Sequence, residues 1–300
     1  MRRHTGTALI FLAMTGIFCG CSAINRIFTV DKEYLTLQAI DSLFRPSSSL
    51  QEFYYPCSAD IGPTRRRMLV YLPPDYYGNT EEYPVLYLLH GARGNETSWI
   101  KDGGLVEMLD TLRRKGECRD FIVVLPNTNQ YDDDADYGLS RFKNAMESFF
   151  EVNGAVESSF VNDVVGFVES NFRVRADKSD RAIAGLSIGA LQCIYISALN
   201  PHMFDYVGLF SPLWQPWPPQ KSPYSGIYKD LRSAQREQFS DTPRIYSLAV
   251  GTADPLYGHV EDYRHYLNKN GFCYIYEESK GGHDWYNWSE YLETFVKPLF

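Results

Sequence analysis

A serine stands between two glycines in the segment RAIAGLSIGALQCIYISALN, residues 181–200. The residues before Ser187 are short and apolar, as in a buried strand, and those after it continue as an apolar helix. Gly185 and Gly189 complete the pattern G-x-S-x-G, in which a tight strand-to-helix turn lifts a serine above a sheet. Glycine at both positions would let the helix pack close to the neighbouring strand. The pattern predicts nucleophilic chemistry at Ser187.

A serine hydroxyl is a weak nucleophile at neutral pH, so it needs a histidine base, which in turn needs an orienting carboxylate. In proteins that carry the nucleophile on a G-x-S-x-G turn, the order along the chain is serine, acid, histidine. His283 follows in the loop SKGGHDWYNW, just beyond a predicted strand. His202 lies too close to the serine, whereas His259 and His265 fall on a predicted amphipathic helix, where solvated histidines are common. We therefore predict His283 as the base.

The orienting carboxylate is predicted at Asp254, which comes directly after the strand-like run RIYSLAV. Functional residues of open α/β sheets gather at the carboxyl ends of strands, which favours this position. Two other carboxylates are possible partners of the base. Asp284 is the next residue after His283 and would have to fold back on it. Glu277 lies within a predicted strand whose direction the sequence does not show. A turn-forming role for Asp254 before Pro255 is the structural alternative.

Attack on a carbonyl group places negative charge on its oxygen, which backbone N–H groups can stabilise. The amide of Ile188, directly after the predicted nucleophile, is one expected donor. The amide of Ala92 in LLHGARGNETSW is the second, because Gly91 would let this loop approach the serine closely. His90 in the same loop is expected to be structural.

Strand-like and helix-like segments alternate along the chain. Seven short runs have the composition of buried parallel strands: RMLVYLP, YPVLYLLH, FIVVLPN, RAIAGL, DYVGLF, RIYSLAVG and CYIYEES. Two amphipathic helices lie between them, with apolar residues three or four apart: Val156, Phe160, Val164 and Val168 in the first, and Val260, Tyr263 and Leu267 in the second. Gly271 is a natural C-cap for the second. The alternation predicts an α/β fold with a mostly parallel sheet and helices on both faces.

Two insertions, residues 129–154 and 211–228, follow strand ends and are rich in aromatic residues. We expect them to form walls of a ligand site. Flat rings near the site suit phenolic groups and sugar faces, and each could instead belong to the core. The candidates are Trp99, Tyr131, Trp214, Trp217 and Trp285.

The acidic run at residues 132–138 resembles a calcium-binding loop only in part. Its glycine, Gly138, comes one position too late for the EF-hand loop, and the glutamate that closes such a loop is missing. A solvated acidic turn is therefore favoured over a calcium site.

The chain has 300 residues and a formal net charge of −8, which argues against nucleic acid as a partner. The cysteines at positions 57, 118, 193 and 273 lack CxxC or Cys/His spacing, so buried thiols, with or without one disulfide, are favoured over a metal site. Neither a metal nor a cofactor is expected, and the oligomeric state stays open.

The N-terminus, MRRHTGTALIFLAMTGIFCGCSA, places two arginines before a short apolar run, the pattern of a signal peptide. The run ends in FCGC, which resembles the lipobox of bacterial lipoproteins and would make Cys21 the lipidated residue. Phe18 stands at the third position before the cleavage site, where a lipobox usually has an aliphatic residue. Ordinary secretion without lipid therefore remains an alternative. We expect an exported protein, lipid-anchored to a bacterial membrane. The expected divisions are a signal peptide at 1–20, a tether or arm at 21–50 and a single domain at 51–300.

Five segments occur in the order and approximate spacing of the putative esterase family of α/β-hydrolases: LLHGARGNETSW, VVLPN, RAIAGLSIGA, GTADP and GGHDWYNW. The chain resembles this family over about residues 65–298, and within it looks most like bacterial feruloyl esterase domains. The resemblance implies the α/β-hydrolase fold. It also implies the site roles, a triad of Ser187, Asp254 and His283 with oxyanion donors at Ala92 and Ile188.

Together these features predict a serine carboxylic-ester hydrolase acting through an acyl-enzyme. By the resemblance, it would release ferulate or a similar acyl group from plant cell-wall polysaccharide. The alternatives are an acetyl-xylan esterase, a siderophore trilactone esterase, an acyltransferase of the mycolyltransferase kind, and a non-catalytic glycan-binding lipoprotein.

Overall fold

A computed structural model describes residues 49–59, 64–129, 152–214 and 222–300. By its internal contacts the chain divides into two units, Met1–Pro46 and Ser47–Phe300. All described residues belong to the second. Several predicted features lie outside the described residues: the signal peptide, Cys21, nearly all of the arm, Tyr131, Trp217 and the acidic run at 132–138.

The described residues contain an eight-stranded sheet in the order β1-β2-β4-β3-β5-β6-β7-β8. Its strands are β1 Ser49–Pro56, β2 Arg65–Leu72, β3 Val85–Leu89, β4 Ile122–Pro126, β5 Arg181–Leu186, β6 Tyr206–Phe210, β7 Ile245–Gly251 and β8 Ile275–Ser279. The pairs β1/β2 and β2/β4 are antiparallel, and all other neighbours are parallel. The predicted mostly parallel sheet is therefore confirmed.

Strand β1 was not among the predicted strands. It lies at the sheet edge, and its side chains alternate between solvent and core, with Tyr54 43% exposed and Tyr55 2% exposed. Such a strand lacks the continuous apolar run of the buried parallel strands. The domain therefore begins by Ser49, slightly inside the segment predicted as the arm.

The helices connect the strands and cover both faces of the sheet. They are α1 Ser98–Lys101, α2 Leu105–Lys115, α3 Ala155–Phe160, α4 Gly166–Asn171, α5 Ile188–Leu199, α6 Leu231–Ser240, α7 Tyr257–Asn270 and α8 Trp285–Val296. A π-helical turn, Val161–Val165, joins α3 to α4. Helices α3 to α7 pack into one core cluster, and α1, α2 and α8 pack into the other. Helices on both faces are what the strand and helix alternation predicted.

The predicted apolar faces of the two amphipathic helices are buried. Val156, Phe160, Val164 and Val168 are each at most 4% exposed, and Val260, Tyr263 and Leu267 are fully buried. Gly271 ends α7 in the left-handed conformation, with φ of 71°, and its amide donates to the Asn268 carbonyl at 3.1 Å. This is the C-cap that the sequence predicted.

Two further observations concern the cysteines and the length of the helices. The cysteines at 57, 118, 193 and 273 are all free thiols in the part of the chain that the structure describes. Across those same residues, none of the helices combines the length and the apolar character needed to cross a bilayer.

Candidate active site

Ser187 occupies the turn between β5 and α5 in a backbone conformation that side chains rarely adopt. Its φ is 55° and its ψ is −116°. A non-glycine residue at positive φ carries strain that the surrounding structure must hold in place. The Ser187 amide donates to the Phe210 carbonyl at 2.9 Å, and the Ser187 carbonyl accepts from the Leu191 amide at 3.1 Å. The elbow is therefore fixed on both sides.

The two glycines of the motif leave room for backbone on either side of the elbow. A Cβ on Gly185 would lie 2.7 Å from the Gly189 carbonyl carbon, and one on Gly189 would lie 2.3 Å from the His90 carbonyl oxygen. Real Cβ atoms do not make such contacts. The predicted close packing of α5 against the neighbouring strand β3 is thus confirmed.

Three residues far apart in the chain meet at the carboxyl ends of the strands. The Nε2 atom of His283 lies 3.0 Å from the Ser187 Oγ atom. Its Nδ1 atom lies 3.0 Å and 3.1 Å from the two carboxylate oxygens of Asp254. An Nδ1–H that donates to this carboxylate leaves Nε2 free to accept the serine proton. The predicted serine, histidine and acid are therefore joined in one hydrogen-bonded chain.

The rival carboxylates lie in other contacts. Asp284 caps α8, where its Oδ1 atom accepts from the Asn287 amide at 3.1 Å. Glu277 lies on the edge strand β8, and burial raises its pKa. Asp254 is the carboxylate that contacts the base.

The environment of Asp254 keeps its carboxylate ionised. Its side chain has no exposed surface, and its Oδ1 atom accepts from the Leu256 amide at 2.7 Å. Burial alone would raise the pKa of Asp254, but hydrogen bonds from His283, the Leu256 amide and Ser211 outweigh burial and hold it below its usual range. The base, by contrast, is accessible, because the His283 side chain is 26% exposed.

Two supporting residues, Ser211 and Trp288, were missed by sequence reasoning. Ser211 follows β6 with φ of 49° and is fully buried, and its amide donates to the Ala249 carbonyl at 2.7 Å. Its hydroxyl accepts from the Trp288 indole N–H at 3.2 Å. The hydroxyl also hydrogen-bonds the Asp254 carboxylate, which helps to lower the pKa of Asp254. The only signal in the sequence was a polar residue at a strand end.

The predicted oxyanion loop lies directly against the elbow. A Cβ on Gly91 would come within 3.3 Å of the Ser187 Cβ and 2.4 Å of a Leu186 methyl carbon. The Ala92 amide has no hydrogen-bond partner within the described ranges. Ile188 is the first residue of α5, where backbone N–H groups have no intrahelical acceptor. The two amides can therefore donate to a bound group.

His90 ties this loop to the next strand. Its Nδ1 atom lies 2.8 Å from the Gly91 carbonyl oxygen, and its Nε2 atom accepts from the Thr128 amide at 3.0 Å. Burial is the main cause that lowers the pKa of His90, to about 4, so the ring is neutral at pH 7. Buried Glu96 adds a second tie, since it pairs with Arg67 at 2.6 Å and accepts from Asn127 at 3.0 Å. A structural role for His90 agrees with these contacts.

Two of the aromatic candidates, Trp99 and Trp214, follow the alternative that the sequence left open, because their rings are packed in the core. Trp99 is 1% exposed, and its indole N–H donates to the Leu89 carbonyl at 3.0 Å. Trp214 is 9% exposed and stacks on Tyr263 with ring centroids 4.4 Å apart. Trp285 is half-buried at the start of α8, just after His283, and remains a candidate contact.

A protein-family model described as Putative esterase matches residues 58–297. The chain belongs to this family. Among curated proteins, it is 37% identical over 242 residues to an endo-1,4-beta-xylanase/feruloyl esterase of Xylanibacter ruminicola, covering 77% of this chain and 29% of that protein. It is 26% identical over 245 residues to an acetyl esterase of Caldicellulosiruptor saccharolyticus, covering 71% of this chain and 82% of the relative.

The chain thus spans less than a third of the first relative and most of the second. Among solved structures, a ferulic acid esterase from Anaeromyces mucronatus in complex with ferulic acid matches with a TM-score of 0.67 at 22% identity, covering 91% of this chain and 94% of that one. A feruloyl esterase module from Clostridium thermocellum, complexed with sinapinate, matches with a TM-score of 0.64 at 18% identity, covering 85% and 89%. At these identities the structural matches show the shared fold.

Proposed function

We propose that the protein is a serine carboxylic-ester hydrolase that works through an acyl-enzyme. One observation carries this proposal, the unbroken chain of hydrogen bonds from Asp254 through His283 to Ser187 on its strained turn. Membership of the esterase family supports the same reaction. A serine held at an elbow next to an oriented imidazole is the arrangement that activates an alcohol as a nucleophile.

The geometry supports a two-step reaction. The Ser187 Oγ atom attacks the ester carbonyl carbon while the His283 Nε2 atom takes its proton. The amides of Ala92 and Ile188 stabilise the resulting oxyanion. The intermediate collapses, the C–O bond to the alcohol breaks, and the leaving alkoxide takes the proton from Nε2. Water then attacks the acyl-enzyme by the same route, releasing the acid and restoring the serine.

Asp254 has a distinct part in this proposal. As the proton reaches Nε2, the imidazole becomes a cation, and the neighbouring carboxylate stabilises that charge. The depressed pKa of Asp254 keeps the carboxylate ionised across the neutral range. Its two contacts to Nδ1 also hold the ring in the tautomer that can accept the serine proton.

For the substrate, we propose hydroxycinnamoyl esters of plant polysaccharide, such as feruloyl esters. The Xylanibacter ruminicola relative is an endo-1,4-beta-xylanase/feruloyl esterase, and the Anaeromyces mucronatus esterase structure is a complex with ferulic acid. The half-buried Trp285 offers a flat ring close to His283 in the chain. Acetyl groups on xylan are the second candidate, favoured by the similarity to the acetyl esterase.

The Ser187→Ala variant tests the reaction. We expect its kcat/KM on methyl ferulate to fall by about 10³-fold or more, because no other group supplies the nucleophile. Ser197→Ala is the matched control: this serine is buried in the helix that follows Ser187, and among the described residues its hydroxyl donates to the Ile194 carbonyl alone. Retention of near wild-type activity by Ser187→Ala would overturn the proposal.

A substrate panel separates the alternatives. Faster release of acetate from acetylated xylan than of ferulate from methyl ferulate would favour the acetyl esterase. Transfer of the acyl group to an added sugar would favour an acyltransferase, and cleavage of a siderophore trilactone would favour a siderophore esterase. Inertness toward every ester, with retained glycan binding, would favour a binding protein.

We also propose that the protein is exported and anchored through lipid on Cys21. The support is the N-terminal pattern of two arginines, a short apolar run and FCGC. An enzyme that acts on polymeric plant material must meet its substrate outside the cytoplasm, so this location agrees with the proposed substrate.

A further inference from the structure

The loop that carries His283 needs support from outside itself. It spans residues 280–284 between β8 and α8, and it contains two glycines, of which Gly281 has φ of 128°. Such a segment has many accessible conformations in isolation. A base that acts on a serine must be held close to its productive position, because misplacement by about 1 Å can cost on the order of 10²-fold in rate.

The side chain of Asn287, in the first turn of α8, contacts the middle of this loop and the last residue of β8 before it. Its Nδ2 atom donates to the Gly282 carbonyl at 2.8 Å, next to His283, and its Oδ1 atom accepts from the Ser279 hydroxyl at 3.1 Å. Asn287 is fully buried. A buried amide whose donor and acceptor are both satisfied fixes its partners strongly, because breaking either bond leaves an unpaired polar group.

Asn287 also lies where the loops bearing the base and the acid meet. A Cβ on Gly281 would come within 2.7 Å of the Asn287 Nδ2 atom, and one on Gly251, at the end of β7, within 2.8 Å. The two loops are joined directly as well, since the Ala253 amide donates to the Gly281 carbonyl at 2.8 Å. The amide of Asn287 fills the space that these two glycines leave.

The next residue, Trp288, contacts the imidazole itself. Its ring meets that of His283 edge to face, with centroids 4.7 Å apart and planes at 90°. Its indole N–H donates to Ser211, the buried hydroxyl beside Asp254. Trp288 therefore limits rotation of the base while holding a neighbour of the acid.

We infer that Asn287 and Trp288 are positioning residues, which together align the base with the acid: Asn287 holds the loop of His283 and Trp288 holds its ring. The inference rests on the proposed function, since it assigns these residues a part in activating Ser187. This assignment gives neither residue a proton-transfer step or a contact with the ester. Their contribution is to keep Nδ1 on Asp254 and Nε2 on Ser187 at the same time.

The experiment measures activation of the serine per active site. A fluorophosphonate reacts covalently with an activated serine, so its second-order rate constant reports how well the base is placed. We expect Asn287→Ala to lower this constant by about 10²-fold. With methyl ferulate, kcat per titrated site should fall while KM stays unchanged. A purely structural role would reduce the fraction of folded protein and leave both per-site values unchanged.

Matched variants complete the test. Ser289→Ala is the control in the same helix, because this hydroxyl donates to the Gly103 carbonyl, outside the His283 loop. It should react at the wild-type rate. Ser279→Ala removes the hydroxyl that donates to Asn287 and should lower the rate about tenfold. Because this hydroxyl also bonds the Tyr291 hydroxyl, Tyr291→Phe is measured beside it and should react at close to the wild-type rate. Trp288→Leu removes the aromatic contact and should lower the rate more than Trp288→Phe, which keeps a ring.

The outcomes distinguish this inference from the proposed function. A wild-type protein that is not phosphonylated on Ser187 would overturn the proposed function and the inference with it. A wild-type protein that is phosphonylated, with Asn287→Ala or Ser279→Ala reacting equally fast, would overturn the inference alone. Should Asn287→Ala fail to fold, the Ser279→Ala and Trp288→Leu rates decide in the same way.

Discussion

At the scale of single residues, the site combines groups whose charge states are set by their surroundings. Hydrogen bonds hold the buried Asp254 carboxylate in its ionised form, while burial keeps His90 neutral. In the proposed reaction, the first arrangement would stabilise an imidazolium beside Ser187. The second lets His90 accept from the Thr128 amide and hold the loop that carries Ala92. The two groups therefore support the site in different charge states, Asp254 as an anion and His90 as a neutral ring.

The pKa of His90 predicts a specific loss of stability in acid. Its folded-state pKa is about 4 and its ordinary value is 6.5, so the unfolded chain takes up the proton first as the pH falls. The stabilisation by neutral His90 is present above pH 6.5 and is lost as the pH falls toward 4. Over this window the loss should amount to about 3 kcal/mol.

Urea unfolding of the wild type and His90→Gln at pH 7, 5 and 4 measures this effect. The difference between their free energies of unfolding should shrink as the pH falls. A difference that stays constant from pH 7 to pH 4 would show that His90 does not titrate between the folded and unfolded states in this range.

At the scale of elements, the elbow depends on how closely α5 approaches β3. Gly189 makes this approach possible, since a Cβ there would meet the His90 carbonyl oxygen and the Leu89 Cβ. The same contact joins the helix that begins after Ser187 to the loop that carries Ala92. One small residue thus couples the nucleophile to the predicted oxyanion donor.

Gly189→Ala should therefore destabilise the protein, by about 1–3 kcal/mol for a tightly packed site. Gly258→Ala is the matched control, because Gly258 lies in α7 and a Cβ there meets nothing within 4 Å. That change should stabilise the protein by about 0.5–1 kcal/mol through helix propensity. Chemical unfolding of both variants checks the pair, and equal effects of the same sign would contradict this account of the elbow.

At the scale of the whole molecule, the parallel sheet gathers the site from distant parts of the chain. Strands β5, β6, β7 and β8 are consecutive neighbours that point the same way, so their carboxyl ends share one edge. Ser187, Ser211, Asp254 and His283 each follow one of these strands in turn. The order serine, acid, histidine along the chain becomes a line of neighbours in space.

The proposed lipid anchor yields a prediction at this scale. Cys21 lies outside the described residues, and the site lies within Ser47–Phe300. Cys21→Ser removes the thiol that would carry the lipid, so expression in a bacterium should move the protein from the membrane fraction to the soluble fraction. The kcat/KM on methyl ferulate should stay unchanged. A Cys21→Ser protein that remains in the membrane fraction would refute the anchor.

The aromatic residues show where sequence reasoning reached its limit. Trp99 and Trp214 were candidates either for ligand contact or for the core, and their rings are buried against Leu89 and Tyr263. Trp288 was not singled out, and it contacts the base. Residue type and position along the chain do not say which way a ring points, because that depends on packing between elements far apart in sequence.

The sequence by itself determined the alternation of strands and helices, the strained serine turn and the order of the reacting residues, because each depends on local periodicity or short spacing. The position of Asp254 after a strand favoured it over Asp284 from the sequence, but only the tertiary structure shows its contact with His283 and the contacts of Asn287, Ser211 and Trp288 around them. Those contacts join separate loops, so they arise from the register of neighbouring strands and the docking of α8. No local pattern encodes them.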